Sequence, residues 1–334
     1  MFINPLFLLL SYFVFSVNCL FQLNRQLLET WIPTFNTTPI IDLNTRNIDT
    51  IQNNTFTNLL NIEVLLLNAN QLQNFSSNTF TTLLNIHELD LSYNYLTFID
   101  KNILLNLTKL QCLFLSANYI KFIDIDSFSY LNSLTNLTLD NNQLSYIDLR
   151  HFSRLKNLKF LNLNGNGLKS MDGSIFTPLV NLETLYLGDN MFQSLNKTLF
   201  DSLINLKQLE LGENQLVSID SFIFKNLFKL EYLSLSLNNF TSFNINTFRN
   251  LINLNDLRMF WNQIDLIDIK LFSSLTNLKE IYLNINNISQ IDESVFHGLI
   301  NLEKVFLGAN PISSSNPDYV KSLCSTNPKC IVIL

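Results

Sequence analysis

Apolar side chains recur along this chain with a period of 24 residues, and an asparagine marks each period. Counted from that asparagine, the positions eight, five and three residues before it and two residues after it carry Leu, Ile, Val or Phe almost throughout, as between Leu182 and Phe192. A fixed period of this length indicates one supersecondary unit stacked on copies of itself. The eleven asparagines are Asn70, Asn94, Asn118, Asn142, Asn166, Asn190, Asn214, Asn238, Asn262, Asn286 and Asn310.

The alternation of apolar and polar residues before each asparagine predicts a short β-strand with one buried face. The chain must then turn, and the amides of a turn have no strand ladder to bond to. A buried asparagine amide carries both donors and an acceptor, so we expect it to satisfy the turn of the next coil. The asparagines are therefore predicted to hold the fold together and to bind no ligand.

The second half of each period is as regular as the first. A leucine stands thirteen positions after the asparagine, from Leu83 to Leu299, and ten positions after it stands a phenylalanine, with Leu104 as the exception. Rings one coil apart are expected to pack edge to face along the convex side, as a structural spine and not as a cofactor pocket. They are Phe80, Phe128, Phe152, Phe176, Phe200, Phe224, Phe248, Phe272 and Phe296.

The resulting frame, LxxLxLxxNxLxxIxxxxFxxLxN, resembles the extracellular leucine-rich repeat family in its typical 24-residue subclass. The resemblance implies an α/β solenoid, a horseshoe with a concave parallel β-sheet and an irregular or short-helical convex side. One degraded repeat precedes the first asparagine, with Ile41 and Leu43 in the frame but Arg46 in place of asparagine. Residues 38–312 are therefore expected to form twelve repeats.

Residues 1–19 differ from the repeats and are predicted to be a secretory signal peptide. They contain an apolar core from Leu6 to Phe15, followed by small residues before Cys19, although no Lys or Arg precedes the core. A membrane anchor is the alternative, and the short apolar stretch disfavours it. The mature chain has no run near the ~20 apolar residues of a transmembrane helix. We therefore expect a secreted, extracellular protein.

Residues 20–37 are predicted to be an N-terminal cap without cysteines, which departs from the cysteine-containing caps of the extracellular family. Leu23, Leu27 and Trp31 are at helical spacing, so a short amphipathic helix is expected to cover the first coil.

Residues 313–334 are predicted to be a C-terminal cap, with a short helix capped by Asn316. In an oxidising compartment Cys324 and Cys330 are expected to form a disulfide. Cys112 is left over at a concave position, where it is either free or paired with a partner, and an unpaired, partly packed thiol is the expectation.

Eight Asn-x-Ser/Thr sequons agree with export, although an asparagine-rich chain also produces them by chance. Asn136 is the one predicted on the concave strands, where a glycan would obstruct docking on the earlier repeats. The candidates are Asn36, Asn53, Asn74, Asn106, Asn136, Asn196, Asn239 and Asn287.

The sequence predicts no enzyme, no metal site and no cofactor. Its three histidines, His87, His151 and His297, fall in different repeats, and none has carboxylate or cysteine partners at metal-site spacing. No nucleophile elbow or phosphate-binding glycine loop is present. A net charge of −6 with mixed signs gives no basic footprint for nucleic acid.

The positions seven, six, four, two and one before each asparagine point to the concave side and are free of the frame. Large rings collect there in the later repeats, and Arg258, Phe260 and Trp261 are expected on adjacent positions of one strand. Tyr, Trp and Arg anchor protein interfaces, although scattered aromatics also follow from ordinary β-propensity. The predicted ligand-binding residues are Tyr186, Glu210, Tyr232, Arg258, Phe260, Trp261, Tyr282 and Phe306.

The resemblance therefore implies a secreted, non-catalytic protein that binds an extracellular protein or glycoconjugate on its concave face. Two alternatives stay open. An extracellular-matrix scaffold predicts self-association, of which a homodimer is the simplest form. A non-catalytic stabilising subunit of a secreted enzyme predicts one stoichiometric enzyme partner.

Overall fold

A computed structural model describes residues 21–324 and 327–334. The predicted signal peptide lies outside the described residues. The described chain winds into a solenoid in which thirteen short strands form one parallel sheet in chain order. These strands are β2 (Ile40–Asp42), β4 (Val64–Leu66), β5 (Glu88–Asp90), β7 (Cys112–Phe114), β9 (Asn136–Thr138), β10 (Phe160–Asn162), β11 (Thr184–Tyr186), β12 (Gln208–Glu210), β13 (Tyr232–Ser234), β14 (Asp256–Arg258), β15 (Glu280–Tyr282), β16 (Lys304–Phe306) and β17 (Ile331–Ile333).

The remaining elements lie at the ends of the solenoid and on its sides. Two small parallel pairs join β1 (Phe21–Leu23) to β3 (Ile48–Ile51) and β6 (Phe98–Ile99) to β8 (Phe122–Ile123). The helices are α1 (Arg25–Trp31), α2 (Pro311–Ser315) and α3 (Pro317–Ser322), with 3-10 turns at Leu149–Phe152 and Glu293–Phe296.

Each strand of the repeats pairs with the next at a spacing of one 24-residue period. Leu161 on β10 lies opposite Leu185 on β11, and Leu185 lies opposite Leu209 on β12. These central residues are fully buried, whereas the two flanking positions of β10, β11 and β12 point the other way and keep contact with solvent. One face of the sheet therefore closes the core and the other lines the concave surface, which confirms the predicted fold.

The asparagines are buried and form the predicted ladder, but they bond in the opposite direction along the solenoid. The Asn190 amide donates to the carbonyl of Leu187 in its own turn (3.2 Å) and to that of Leu163 in the preceding coil (3.0 Å). Its oxygen accepts from the N–H of Leu168 (3.1 Å). The expectation of a bond to the next coil was wrong, because the N–H without a strand partner belongs to the preceding coil.

The residue directly before each asparagine, or before Arg46 in the first repeat, adopts the left-handed conformation, with φ between 47° and 63°. Its N–H donates to the equivalent turn of the next coil, as Asp189 does to the carbonyl of Gly212 (3.0 Å). This strained column could not be predicted from the sequence, because almost any residue type occupies it. Its members are Thr45, Ala69, Tyr93, Ala117, Asn141, Gly165, Asp189, Glu213, Leu237, Trp261, Ile285 and Ala309.

The convex phenylalanines are buried as expected, but their packing differs from the prediction. Neighbouring rings are stacked and not edge to face: Phe272 and Phe296 have centroids 6.3 Å apart and planes at 2°. The strict one-coil translation explains this, because identical residues in successive coils keep the same orientation.

A second asparagine ladder runs near the end of most periods, where the frame also places Asn; Lys109, Ser133 and Lys229 interrupt it. Asn181 donates its side-chain N–H to the carbonyl of Lys156 in the preceding coil (2.9 Å), and Asn205 does the same to Val180 (2.8 Å). This ladder is exposed, in contrast to the first, and it ties the convex segments together.

The N-terminal cap contains a short helix as predicted, but only two of the three residues expected in that helix lie in it. Leu27 and Trp31 belong to α1 and pack against the core, but Leu23 lies in β1, and the fully buried residue of the helix is Leu28. The guanidinium of Arg46, which replaces the first ladder asparagine, lies 5.3 Å from the centre of the Trp31 ring.

The C-terminal cap contains the predicted short helix, with the Asn316 side chain accepting from the N–H of Tyr319, and the predicted disulfide between Cys324 and Cys330. It also adds β17, a strand that the repeat frame did not predict. Val332 of this strand pairs with Val305 of β16, so the cap extends the concave sheet by one strand.

Candidate binding surface on the concave sheet

Four of the predicted binding residues form one continuous row across the concave sheet. The guanidinium carbon of Arg258 lies 5.0 Å from the Tyr232 ring centre and 5.1 Å from that of Tyr282. The Tyr282 ring stacks on Phe306, with centroids 4.2 Å apart and planes at 5°. The strands bring these side chains together because β13 to β16 pair in register. We call Tyr232, Arg258, Tyr282 and Phe306 the Arg258 row.

Acidic side chains hold the row in place. Asp256 accepts two hydrogen bonds from Arg258, at 3.1 and 3.0 Å, and this raises the pKa of the guanidinium. Glu280 accepts from the Tyr282 hydroxyl at 2.5 Å and pairs with Lys304 at 2.6 Å. The pKa of Tyr282 rises to about 12, through burial and then through the Glu280 hydrogen bond. The row is therefore positioned before any ligand arrives.

Tyr186 and Glu210 continue the surface toward the earlier repeats. The Tyr186 ring meets Phe160 edge to face at 5.5 Å, and its hydroxyl donates to the side-chain oxygen of Gln208 (2.9 Å). Glu210 accepts from the Tyr232 hydroxyl at 2.8 Å. Burial is the first cause, and the Glu210 carboxylate the second, of the raised pKa of Tyr232.

Phe260 and Trp261 do not lie on a strand with Arg258, and that expectation was wrong. β14 ends at Arg258, and both residues belong to the turn that follows. Trp261 occupies the left-handed position with φ 55°, is 56% exposed and makes no ring contact within the described residues. Trp261 therefore lies at the rim of the concave surface, whereas Phe260 stays half-buried beside Arg258.

A hollow of about 230 Å³ opens next to the Arg258 row and is lined from repeats six to ten. Its floor is low because the position two before the asparagine carries Gly188, Gly212 and Ser236 in successive coils. A Cβ added at Gly212 would lie 2.6 Å from a Glu210 oxygen, so a side chain there would fill the space. The hollow is lined by Asn164, Gly188, Asp189, Glu210, Gly212, Glu213, Tyr232, Ser234, Ser236, Leu237, Arg258 and Phe260.

The earlier half of the concave sheet carries Cys112 on β7 and Asn136 on β9, as predicted. Cys112 is a free, half-buried thiol, and burial followed by repulsion from Glu88 raises its pKa. Asn136 is half-buried beside it, in the strand register of Cys112 and Phe160. Its glycosylation, like that of the other sequons, stays a prediction.

An exposed group of aromatic side chains in repeats three to five was missed by the sequence analysis. Tyr95 stacks on Tyr119 with ring centroids 5.8 Å apart, and Phe98 stacks on Phe122 at 5.6 Å. The sequence does carry a signal for this group, because these rings recur one and four residues after the asparagine, past the end of the strand. The early aromatic group comprises Tyr93, Tyr95, Phe98, Tyr119, Phe122 and Tyr146.

The histidines do not form a metal site in the described part of the chain, and His151 has a structural role. His151 is buried, its Nδ1 accepts from the N–H of Asp148 (3.0 Å) and its Nε2 donates to the carbonyl of Ile123 (3.0 Å). Over residues 21–324 and 327–334, His, Cys, Asp and Glu form no group of three that could hold a metal ion. Over the same residues, no helix has the length and apolar character needed to cross a membrane.

Comparisons with known families and structures agree with this geometry. The family described as "Leucine rich repeat" matches residues 61–120, 84–144, 108–168 and 157–216, and "BspA type Leucine rich repeat region (6 copies)" matches residues 193–316. A comparison with curated proteins gives no match.

Three solved structures illustrate the likeness. Internalin inlF from Listeria monocytogenes is 25% identical with a TM-score of 0.64, over 93% of this chain and 88% of that chain. A chain of the octameric complex of Latrophilin 3, Unc5D and FLRT2 (LRR) is 26% identical with a TM-score of 0.67, over 75% and 76%. A chain of the Drosophila Toll–Spatzle complex is 23% identical with a TM-score of 0.68, over 84% of this chain but 45% of that chain.

Both family matches fall on the repeats, together spanning residues 61–316, and the solved neighbours share the coil and its concave sheet. The chain belongs to the leucine-rich repeat proteins.

Proposed function

We propose that this protein is a secreted, non-catalytic binding protein that recognises an extracellular protein through the concave face of its later repeats. Leucine-rich repeat solenoids are typically protein-binding, and no enzymatic family is indicated. The observation that carries the proposal is the Arg258 row, a guanidinium held between two tyrosine rings on an open sheet face.

The side chains of the Arg258 row are not needed to close the hydrophobic core. The frame positions that close the core are fully buried on the opposite side of the same strands, as Leu257 on β14 is. Arg and Tyr are enriched among the residues that dominate binding energy, and a pre-positioned cluster loses less entropy on binding. The row therefore has the composition and the order of a binding centre.

Export is supported by three independent features. The predicted signal peptide precedes the first coil, six sequon asparagines are exposed, and the C-terminal cap holds a disulfide. Disulfides persist in oxidising compartments. The neighbour with 26% identity comes from a complex with other proteins, which supports a protein ligand over a small molecule.

The test is a binding screen of the full secreted chain against displayed extracellular proteins and receptor ectodomains. Two double variants are compared. Tyr282→Ala with Phe306→Ala removes a stacked pair from the concave face, and Tyr95→Ala with Tyr119→Ala removes a stacked pair from the early aromatic group. The two changes remove similar ring area from neighbouring coils, so they differ chiefly in location.

We expect a partner whose affinity falls at least about tenfold with the concave pair and little with the early pair. The reverse result would move the site to the early aromatic group and contradict the location proposed. Retention of both affinities would contradict recognition by ring contacts altogether. Three other outcomes of the screen would replace the proposed partner class with one of the alternatives. They are a glycoconjugate ligand, self-association as a scaffold or homodimer, and one stoichiometric enzyme partner.

A further inference from the structure

The hollow beside the Arg258 row collects negative charge that the protein does not neutralise. Asp189, Glu210 and Glu213 line it, and none of the three forms an ion pair within the described residues. Among the described residues that line the hollow, Arg258 is the one cationic side chain, and its Nε and Nη2 donate to Asp256 on its own strand. We call this lining the acidic hollow.

A buried hydroxyl at the hollow also lacks a partner. Ser236 is 2% exposed, borders the hollow, and its Oγ has no hydrogen-bond partner within the described residues. Leaving a buried polar group unsatisfied is costly, so such groups call for an explanation. In Ser92, which occupies the equivalent position of an earlier coil, the hydroxyl is instead satisfied by Asp90. The coil of Ser236 has Ser234 where the earlier coil has Asp90, so both the proton and the lone pairs of the Ser236 hydroxyl are left free.

The chemistry of the hollow selects an organic cation. The three carboxylates do not belong to any group of three that could hold a metal ion, within the residues that the structure describes. A volume of about 230 Å³ equals roughly eight waters at ~30 Å³ each, enough for one long side chain. Leu237 and Phe260 give one wall an apolar surface on which a methylene stem can pack.

We propose that the acidic hollow binds one lysine or arginine side chain of a protein ligand, with its charge against Asp189 and Glu213. This inference rests on the proposed concave-face recognition and names its chemistry: the ligand presents a basic side chain next to the surface that contacts the Arg258 row. The Ser236 hydroxyl accepts a hydrogen bond from the bound cation. The aliphatic stem lies against Leu237 and Phe260.

The test measures binding of fluorescent octaarginine to the full chain at physiological salt. Asp189→Asn with Glu213→Gln removes two charges from the hollow without changing side-chain size. Glu231→Gln with Glu303→Gln removes two charges from exposed positions outside it. The matched pair separates a site from the general attraction of an acidic protein. Asn already occupies the left-handed position of Asp189 in another coil, as Asn141, so the hollow variant is expected to fold.

We expect the hollow variant to weaken octaarginine binding at least about tenfold and the control variant less than about twofold. Equal weakening by both, or no binding to the wild type, would overturn the cation site.

This result does not depend on the screen for partners. If a partner is found that needs Tyr282 and Phe306 but ignores the hollow variant, the proposed function stands and the cation site fails. If octaarginine binds at the hollow while the screen returns no concave-face partner, the cation site stands and the proposed function fails.

Discussion

The guanidinium carbon of Arg258 lies 5.0 Å from the centre of the Tyr232 ring on the neighbouring strand. The same guanidinium donates two hydrogen bonds to Asp256. Asp256 therefore fixes the orientation of the guanidinium plane, and the Tyr232 ring packs against its face. This arrangement needs a planar, forked cation, which only arginine supplies.

Arg258→Lys is therefore expected to lower the free energy of unfolding by about 1 kcal/mol, through loss of the stacking and of one hydrogen bond. Chemical denaturation of the two proteins measures it. Arg249→Lys is the matched control, because Arg249 is an exposed residue of the convex side. Equal shifts in the two variants would mean that the row gives Arg258 no special role.

The ladder asparagine Asn190 makes hydrogen bonds to its own coil and to the preceding one. Asn190→Leu leaves these buried groups without a partner and is expected to cost roughly 1–3 kcal/mol for each group that stays unsatisfied. Asp189→Ala, one residue earlier, is expected to change stability far less, because Ala69 and Ala117 occupy that position in other coils. Similar melting temperatures for the two variants would contradict the ladder.

Ile285 is a β-branched residue in the left-handed conformation, with φ 55°, where L-residues are strained by roughly 1–2 kcal/mol. Glycine adopts this conformation freely and already does so at Gly165 in the same column. Ile285→Gly is therefore expected to stabilise the protein by about 1 kcal/mol. Ile300→Gly, at an exposed site without positive φ, is expected to destabilise it. Calorimetric melting of both variants tests the difference in sign.

The pKa of Glu213 is raised above its ordinary value of 4.5, by burial first and then by Asp189 and Glu210. A carboxyl with a raised folded-state pKa binds more protons when folded than when unfolded, so its contribution falls as pH rises through that pKa. Glu213→Gln is therefore expected to be more stable than wild type at pH 7, with the difference vanishing below pH 4.5. Melting curves between pH 4 and pH 7 measure this, and a difference independent of pH would contradict it.

The fold could be predicted from the sequence because its cause is periodic. Every coil repeats the same inward residues, so the register of Leu161, Leu185 and Leu209 follows from counting. Details without a compositional signal could not be predicted. The left-handed column accepts side chains of every size, from none at Gly165 to the indole of Trp261. Strand β17 belongs to a cap outside the repeat.

The candidate site was predicted only in part. Strand pairing at a fixed register brings Tyr232, Arg258 and Tyr282 together, so their proximity followed from the sequence. The position of Trp261 did not, because the strand ends three residues before it and the turn redirects its side chain. The hollow could not be predicted either, because it arises from small residues such as Gly212, and the repeat pattern does not show how the space above them is shaped.

The central claim is that a protein ligand docks on the concave face of the later repeats, and a pair of introduced glycans tests it. Gln208→Asn with Glu210→Thr recreates, on β12, the arrangement of Asn136 and Thr138 on β9. Asp220→Asn with Phe222→Thr is the control, on the convex side of the coil that contains β12. It recreates there the turn that Asn196 and Thr198 form one coil earlier.

The measurement is the affinity of the partner from the ectodomain screen for each glycosylated variant, after mass spectrometry has verified the added glycan. A glycan on β12 would stand over the hollow and beside the Arg258 row. The account predicts that the concave glycan abolishes binding while the convex glycan leaves the affinity within about twofold of wild type. Binding that survives the concave glycan and is lost with the convex one would contradict it.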